Sequence, residues 1–135
     1  MQDSESPNWN LSPDGRYLAF TRVKLGEDAA IRIISMSDDS EKAIPLTGWP
    51  VLSSIDWAAD GKSFVLSACL EHTSPWGAPE TCTMLNVDMS GKTTSLIEDR
   101  DVHYLAAIPS PDGKHLALIG DSASNCNIWL VKNLP

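Results

Sequence analysis

At 135 residues, 42% hydrophobic and 21% charged, the chain holds enough apolar material for one ordinary globular domain and is no disordered or collagen-like polymer. A formal net charge of -8, with ten Lys and Arg scattered along it, argues against nucleic-acid phosphates and anionic membranes, which need clustered bases. No apolar run reaches the roughly 18 residues of a membrane span, and the start lacks the basic and apolar regions of a secretory leader. The expectation is a cytoplasmic protein if the chain is complete, and an extracytoplasmic one if it is part of a larger exported protein.

Residues 1–8 form a polar tail. Trp9 and Leu11, two apart, then lead into Ser12-Pro13-Asp14-Gly15, a basic residue and the apolar triplet Leu18-Ala19-Phe20. The same sentence is written twice more. Ile55 and Trp57 precede Ala58-Ala59-Asp60-Gly61 and Phe64-Val65-Leu66; Ala107 and Pro109 precede Ser110-Pro111-Asp112-Gly113 and Leu116-Ala117-Leu118. The repeat spacings are 46 and 52 residues. Pro13 and Pro111 preset a corner, Asp14, Asp60 and Asp112 can bond nearby backbone, and Gly15, Gly61 and Gly113 accept positive φ, so each string predicts a tight turn between antiparallel strands. Self-similarity at such a period marks a repeat architecture.

A third short strand follows in each unit, at Ile31-Arg32-Ile33-Ile34, Met84-Leu85-Asn86-Val87 and Ile128-Trp129-Leu130-Val131. A fourth, more polar one follows only in the first two, at residues 43–47 and 93–97. Pro45 would interrupt a ladder inside a sheet and is tolerated at an edge, which puts the fourth strand outermost. The prediction is therefore an all-β partial β-propeller of about three four-stranded antiparallel blades, the last lacking its outer strand. The blades run over about 9–50, 51–101 and 102–135.

Unit two departs from its neighbours. From Gly61 to Met84 is 23 residues, against 16 and 15 for the matching spans, and the surplus is the hairpin running from His72 through Trp76 to Glu80. A long loop with two prolines and a Trp on a rigid scaffold is a candidate contact element, so Trp76, His72 and Glu80 are the candidate binding residues. Cys69 and Cys82 flank this hairpin and could pair in an oxidising compartment. With an odd total of three cysteines, Cys126 included, the default reading is free, partly buried thiols. His72, His103 and His115 share no metal-ligand spacing, and Asp38-Asp39-Ser40-Glu41 and Glu98-Asp99-Arg100-Asp101 lack the pattern of a calcium loop, so no metal or cofactor is implied. Trp9, Trp57 and Trp129 fall on strands and are expected in the core, filling space between blades. Trp49 is expected to pack under the next blade.

The succession of an apolar residue or Trp, Ser-Pro-Asp-Gly, a basic residue, an apolar triplet, an Ile-x-Ile-Ile strand and Pro-Leu-Thr resembles the TolB-like propeller repeat, a relative of WD repeats, over residues 9–135. The closing stretch, from Ile108-Pro109-Ser110-Pro111 to Asn127-Ile128-Trp129-Leu130, is similar to the carboxyl end of propellers attached to bacterial serine/threonine kinases and winged-helix regulators. Related propellers gate substrates in prolyl oligopeptidase and dipeptidyl peptidase IV. A peptidase needs a G-x-S-x-G elbow ahead of a helix; the nearest string, Gly120-Asp121-Ser122-Ala123-Ser124, lacks the final Gly and reads as a hairpin turn. The resemblance implies a non-catalytic module for protein interaction or ligand sensing, or else the propeller part of a larger enzyme whose catalytic domain lies elsewhere. Propellers close with about four to eight blades, so three need a protein partner or a second copy to complete them.

Overall fold

The structure, a computed structural model, describes residues 8–24, 26–70, 82–97, 103–122 and 125–132. The repeated turn has one geometry throughout. Gly15, Gly61 and Gly113 have φ of 73°, 69° and 72°, where a Cβ would be strained, and their N–H groups each donate to the carbonyl three residues back at 2.9 Å. Asp14, Asp60 and Asp112 accept through Oδ1 from the N–H groups of Arg16, Lys62 and Lys114 at 3.0, 2.9 and 2.9 Å. Those bonds hold the chain in reversal so that the flanking strands pair.

Eleven strands result, with no helix among the described residues. The first sheet runs β1 (Trp9–Leu11), β2 (Tyr17–Arg22), β3 (Ala30–Ser35), β4 (Glu41–Pro45). The second runs β5 (Val51–Trp57), β6 (Ser63–Cys69), β7 (Cys82–Asp88), β8 (Thr93–Ile97). The third has β9 (His103–Pro109), β10 (His115–Ser122) and β11 (Asn125–Lys132). All pairings are antiparallel meanders. Two blades are whole and the third has three strands, as the repeat predicts. Pro45 ends the outermost strand of blade 1, where its missing N–H interrupts no ladder. Of the Gly120 to Ser124 string, Gly120, Asp121 and Ser122 lie in β10, with Ser122 opposite Asn125 of β11, and Ala123 and Ser124 lie outside the described residues.

Side chains alternate across each sheet, giving every blade two faces. Blade 1 turns Ala19, Ile31 and Ile33 toward blade 2, where they meet Ile55, Trp57, Phe64, Leu66 and Val87 in one buried cluster. On its other face blade 2 offers Val65 and Met84 to Ala107, Leu116 and Leu118 of blade 3. Blade 2 therefore packs a leading face on blade 1 and a trailing face on blade 3. Burying these faces against one another is the main stabilising term of the fold.

Candidate interaction surface

The inner strands carry the polar joint between blades 1 and 2. Trp57 is 5% exposed; its ring packs on Phe64 with centroids 4.3 Å apart and approaches Tyr17 of blade 1 at 6.4 Å. Its Nε1–H donates to the Asn10 carbonyl at 3.2 Å, while the Asn10 amide donates to Asp56 Oδ1 at 2.7 Å. Burial pushes the Asp56 carboxyl up to about 6, the Asn10 donor notwithstanding. The turn carboxylates shift the other way. The Ser12 hydroxyl, with the Arg16 N–H, holds Asp14 below its usual value, and the Ser110 hydroxyl with the Lys114 N–H does the same for Asp112. Asn10 and Asp56 were not singled out by the sequence. They lie 46 residues apart, and the only available signal was their shared place in the repeat, each immediately after a strand residue of the Trp9 and Ile55 type.

Cys69 and Cys82 form a disulfide, which corrects the expectation of free thiols. The reason is register: Cys69 stands directly opposite Cys82 at the end of the β6–β7 ladder, with Cα atoms 4.1 Å apart. The bond closes the base of the long hairpin. Trp76, His72 and Glu80 lie outside the described residues, as do Glu98-Asp99-Arg100-Asp101. His103 is in β9, and His115 Nδ1 lies 3.8 Å from Asp112 Oδ1 beside the third turn. Among the described residues no group of three His, Cys, Asp or Glu is placed to hold a metal ion. A cleft of about 470 Å³ between the β1–β2 and β3–β4 turns is lined by Gly15, Arg16, Tyr17, Ser35, Met36 and Ser37. Arg16, its only charged lining group, is largely in solvent.

The end blades depart most from expectation. Trp9 is 66% exposed and Trp129 36%, whereas both were expected in the core; Trp57 alone of the three strand tryptophans is buried. Trp49 packs against the core between blades 1 and 2, as expected. Register explains Trp9. It occupies in blade 1 the place that Ile55 occupies in blade 2, on the leading face, and no blade precedes it among the described residues. Leu11 occupies the place of Trp57 and is likewise exposed. At the far end Ile128 and Leu130 occupy the places of Ile31 and Ile33 in blade 1, on the trailing face. Ile31 and Ile33 are buried, while Ile128 and Leu130 are 76% and 59% exposed.

Three stacked four-stranded meanders, each opened by the same Asp-Gly turn and packed face to face, define the architecture. No protein-family model matches the chain, and no curated protein matches it. Solved structures do. TolB from Acinetobacter baumannii superposes with a TM-score of 0.72 at 19% identity, over 95% of this chain and 30% of that one. The chain has a TolB-like β-propeller fold. A protein from Clostridium novyi NT assigned as a conserved lipoprotein matches at TM-score 0.71 and 14% identity, over 99% of this chain and 93% of that one. The TolB-like propeller also matches prolyl oligopeptidase B from Galerina marginata at TM-score 0.64 and 20% identity, over 93% of this chain and 20% of the peptidase. It thus spans less than a third of the Acinetobacter TolB and a fifth of the peptidase.

Proposed function

We propose that this TolB-like propeller segment is a non-catalytic module for protein interaction or ligand sensing. One observation carries the reading: Trp9, Leu11, Ile128 and Leu130 hold positions that are buried at the junctions between blades, and on the two end faces they stay apolar and are exposed. Repeat arrays that end in solvent need polar caps. Of the nine large hydrophobic residues exposed among the described residues, Trp9, Leu11, Ile108, Ile128 and Leu130 lie on those two faces. The hairpin holding Trp76, His72 and Glu80 is the second proposed contact, held at its base by Cys69–Cys82. A disulfide persists in oxidising compartments and is rare in the cytosol, which favours the extracytoplasmic of the two expected locations. A second reading, the propeller part of a larger peptidase, is supported by the likeness to prolyl oligopeptidase B.

Immobilised intact chain, compared with Trp76→Ala, tests the loop in capture of proteins from extracts. The variant should lose captured partners and keep the melting temperature of the parent. Unchanged capture with a lowered melting temperature would make Trp76 a packing residue and refute its contact role. The purified chain should also fail to hydrolyse a chromogenic prolyl peptide, and turnover by it would refute the non-catalytic reading.

A further inference from the structure

Resting on that reading, we infer that the partner completing the propeller is a second copy of this chain, joined head to tail so that two three-bladed halves close one six-bladed ring.

The two free faces are of opposite kinds. The leading face of blade 1 has Trp9 and Leu11 exposed, and Leu18 and Phe20 half-buried, where blade 2 has Ile55, Trp57, Phe64 and Leu66. Those four residues of blade 2 are all buried against blade 1. Blade 3 exposes a trailing face, with Ala117, Ile128 and Leu130 where blade 1 buries Ala19, Ile31 and Ile33. Inside the chain a trailing face always meets a leading face, twice over. A second copy offers the missing counterpart to each end at once, and it does so with surfaces already patterned for that contact.

Individual positions agree. At the internal joint Trp57 sits over Asn10; the equivalent pair across two copies is Leu11 of one and Ile108 of the other. A polar joint is thereby replaced by two apolar residues, 46% and 55% exposed in the single chain, so neither leaves an unpartnered polar group on closure. Two arginines share the leading face: Arg32 stands where blade 2 has Leu85 and is already paired with Glu41, and Arg22 stands exposed at the end of β2, where blade 2 has Ala68. Closure therefore buries no isolated charge at the Arg32 position, while Arg22 must keep its guanidinium at the solvent edge of the joint.

A trailing-to-leading contact is heterologous, and heterologous contacts either close a ring or polymerise. Two copies make six blades, within the range of about four to eight in which blade twist closes a propeller, whereas three copies would exceed it. The same junction, used twice, yields a closed dimer with two identical interfaces.

Sedimentation equilibrium of the full chain tests this, with circular dichroism as the check on folding. The mass should be twice that of the chain. Ile128→Glu and Trp9→Glu alter exposed side chains on opposite ends, and each should give a folded species of single mass. An equimolar mixture of the two variants should recover dimer, because each supplies the intact face the other needs at one of the two junctions. Met36→Glu, exposed but on neither face, should remain dimeric. A folded monomer of the parent chain, an open-ended polymer, or a Trp9→Glu variant that stays fully dimeric would overturn the proposal. A folded monomer that still captures a partner through the Trp76 loop would leave the interaction reading standing and remove only the second copy. A dimer that captures nothing would do the reverse.

Discussion

Asp56 and Asp14 show how the same side chain takes opposite roles in one repeat. Asp56 is partly buried beside Asn10, and its carboxyl is raised from 3.8 to about 6 by desolvation. A group raised in the folded state contributes stability that is fully present below its unfolded value and lost as pH rises through the folded one. Asp56→Asn keeps an acceptor for the Asn10 amide and has nothing to ionise. It should melt above the parent at pH 7, with the gap closing as pH falls toward 4; a gap of constant size would refute the assignment. The turn carboxylates run the other way. Asp14 and Asp112, lowered chiefly by their Ser partners, contribute above about pH 3.8 and lose that contribution in acid. The Ser12 hydroxyl donates to Asp14 and accepts from the Arg16 and Tyr17 N–H groups, so Ser12→Ala should cost about 1–2 kcal/mol in denaturant unfolding. Ala58→Ser, which writes the same hydroxyl into the middle turn, should gain about 0.5–1 kcal/mol. The turns were legible because their bonds span two to five residues. The Asn10–Asp56 contact was not, because it exists only once two blades have stacked.

At the scale of strands, the reading succeeded wherever alternation and turn chemistry agreed. Leu18-Ala19-Phe20 and its counterparts fall on the second strand of each blade, and the outer position of Pro45 followed from its lack of an N–H. The disulfide was half visible. Two cysteines flanked one long hairpin, yet pairing depended on a register that puts Cys69 opposite Cys82, which spacing alone does not fix. Closing a loop of this length removes roughly 2–3 kcal/mol of unfolded-chain entropy. Cys69→Ala with Cys82→Ala should lower unfolding free energy by about that amount, and reductant should lower the parent equally; a reductant-insensitive parent would contradict the bond. Trp57 is the element most exposed to damage. Burial, two ring contacts and the bond to Asn10 converge on it, so Trp57→Ala should cost about 3–5 kcal/mol in the same measurement.

At the scale of the molecule, the two complete blades and the one of three strands among the described residues leave a stack with two unlike ends. The number of blades was legible because the turn recurs; the fate of the ends was not. Trp9 looked like a core residue, but strand position and bulk predict burial only when a neighbouring blade is present to cover it; Trp129, opposite Leu118 on the face toward blade 2, is partly exposed because β11 is the edge strand. The exposure of Trp9, Ile128 and Leu130 makes the end faces the most informative surface among the described residues. Small-angle X-ray scattering from the full chain addresses the central claim directly, since it reads mass and shape together. A closed pair predicts a compact disc of twice the chain mass. A folded particle of single-chain mass with the profile of a three-bladed wedge would contradict it.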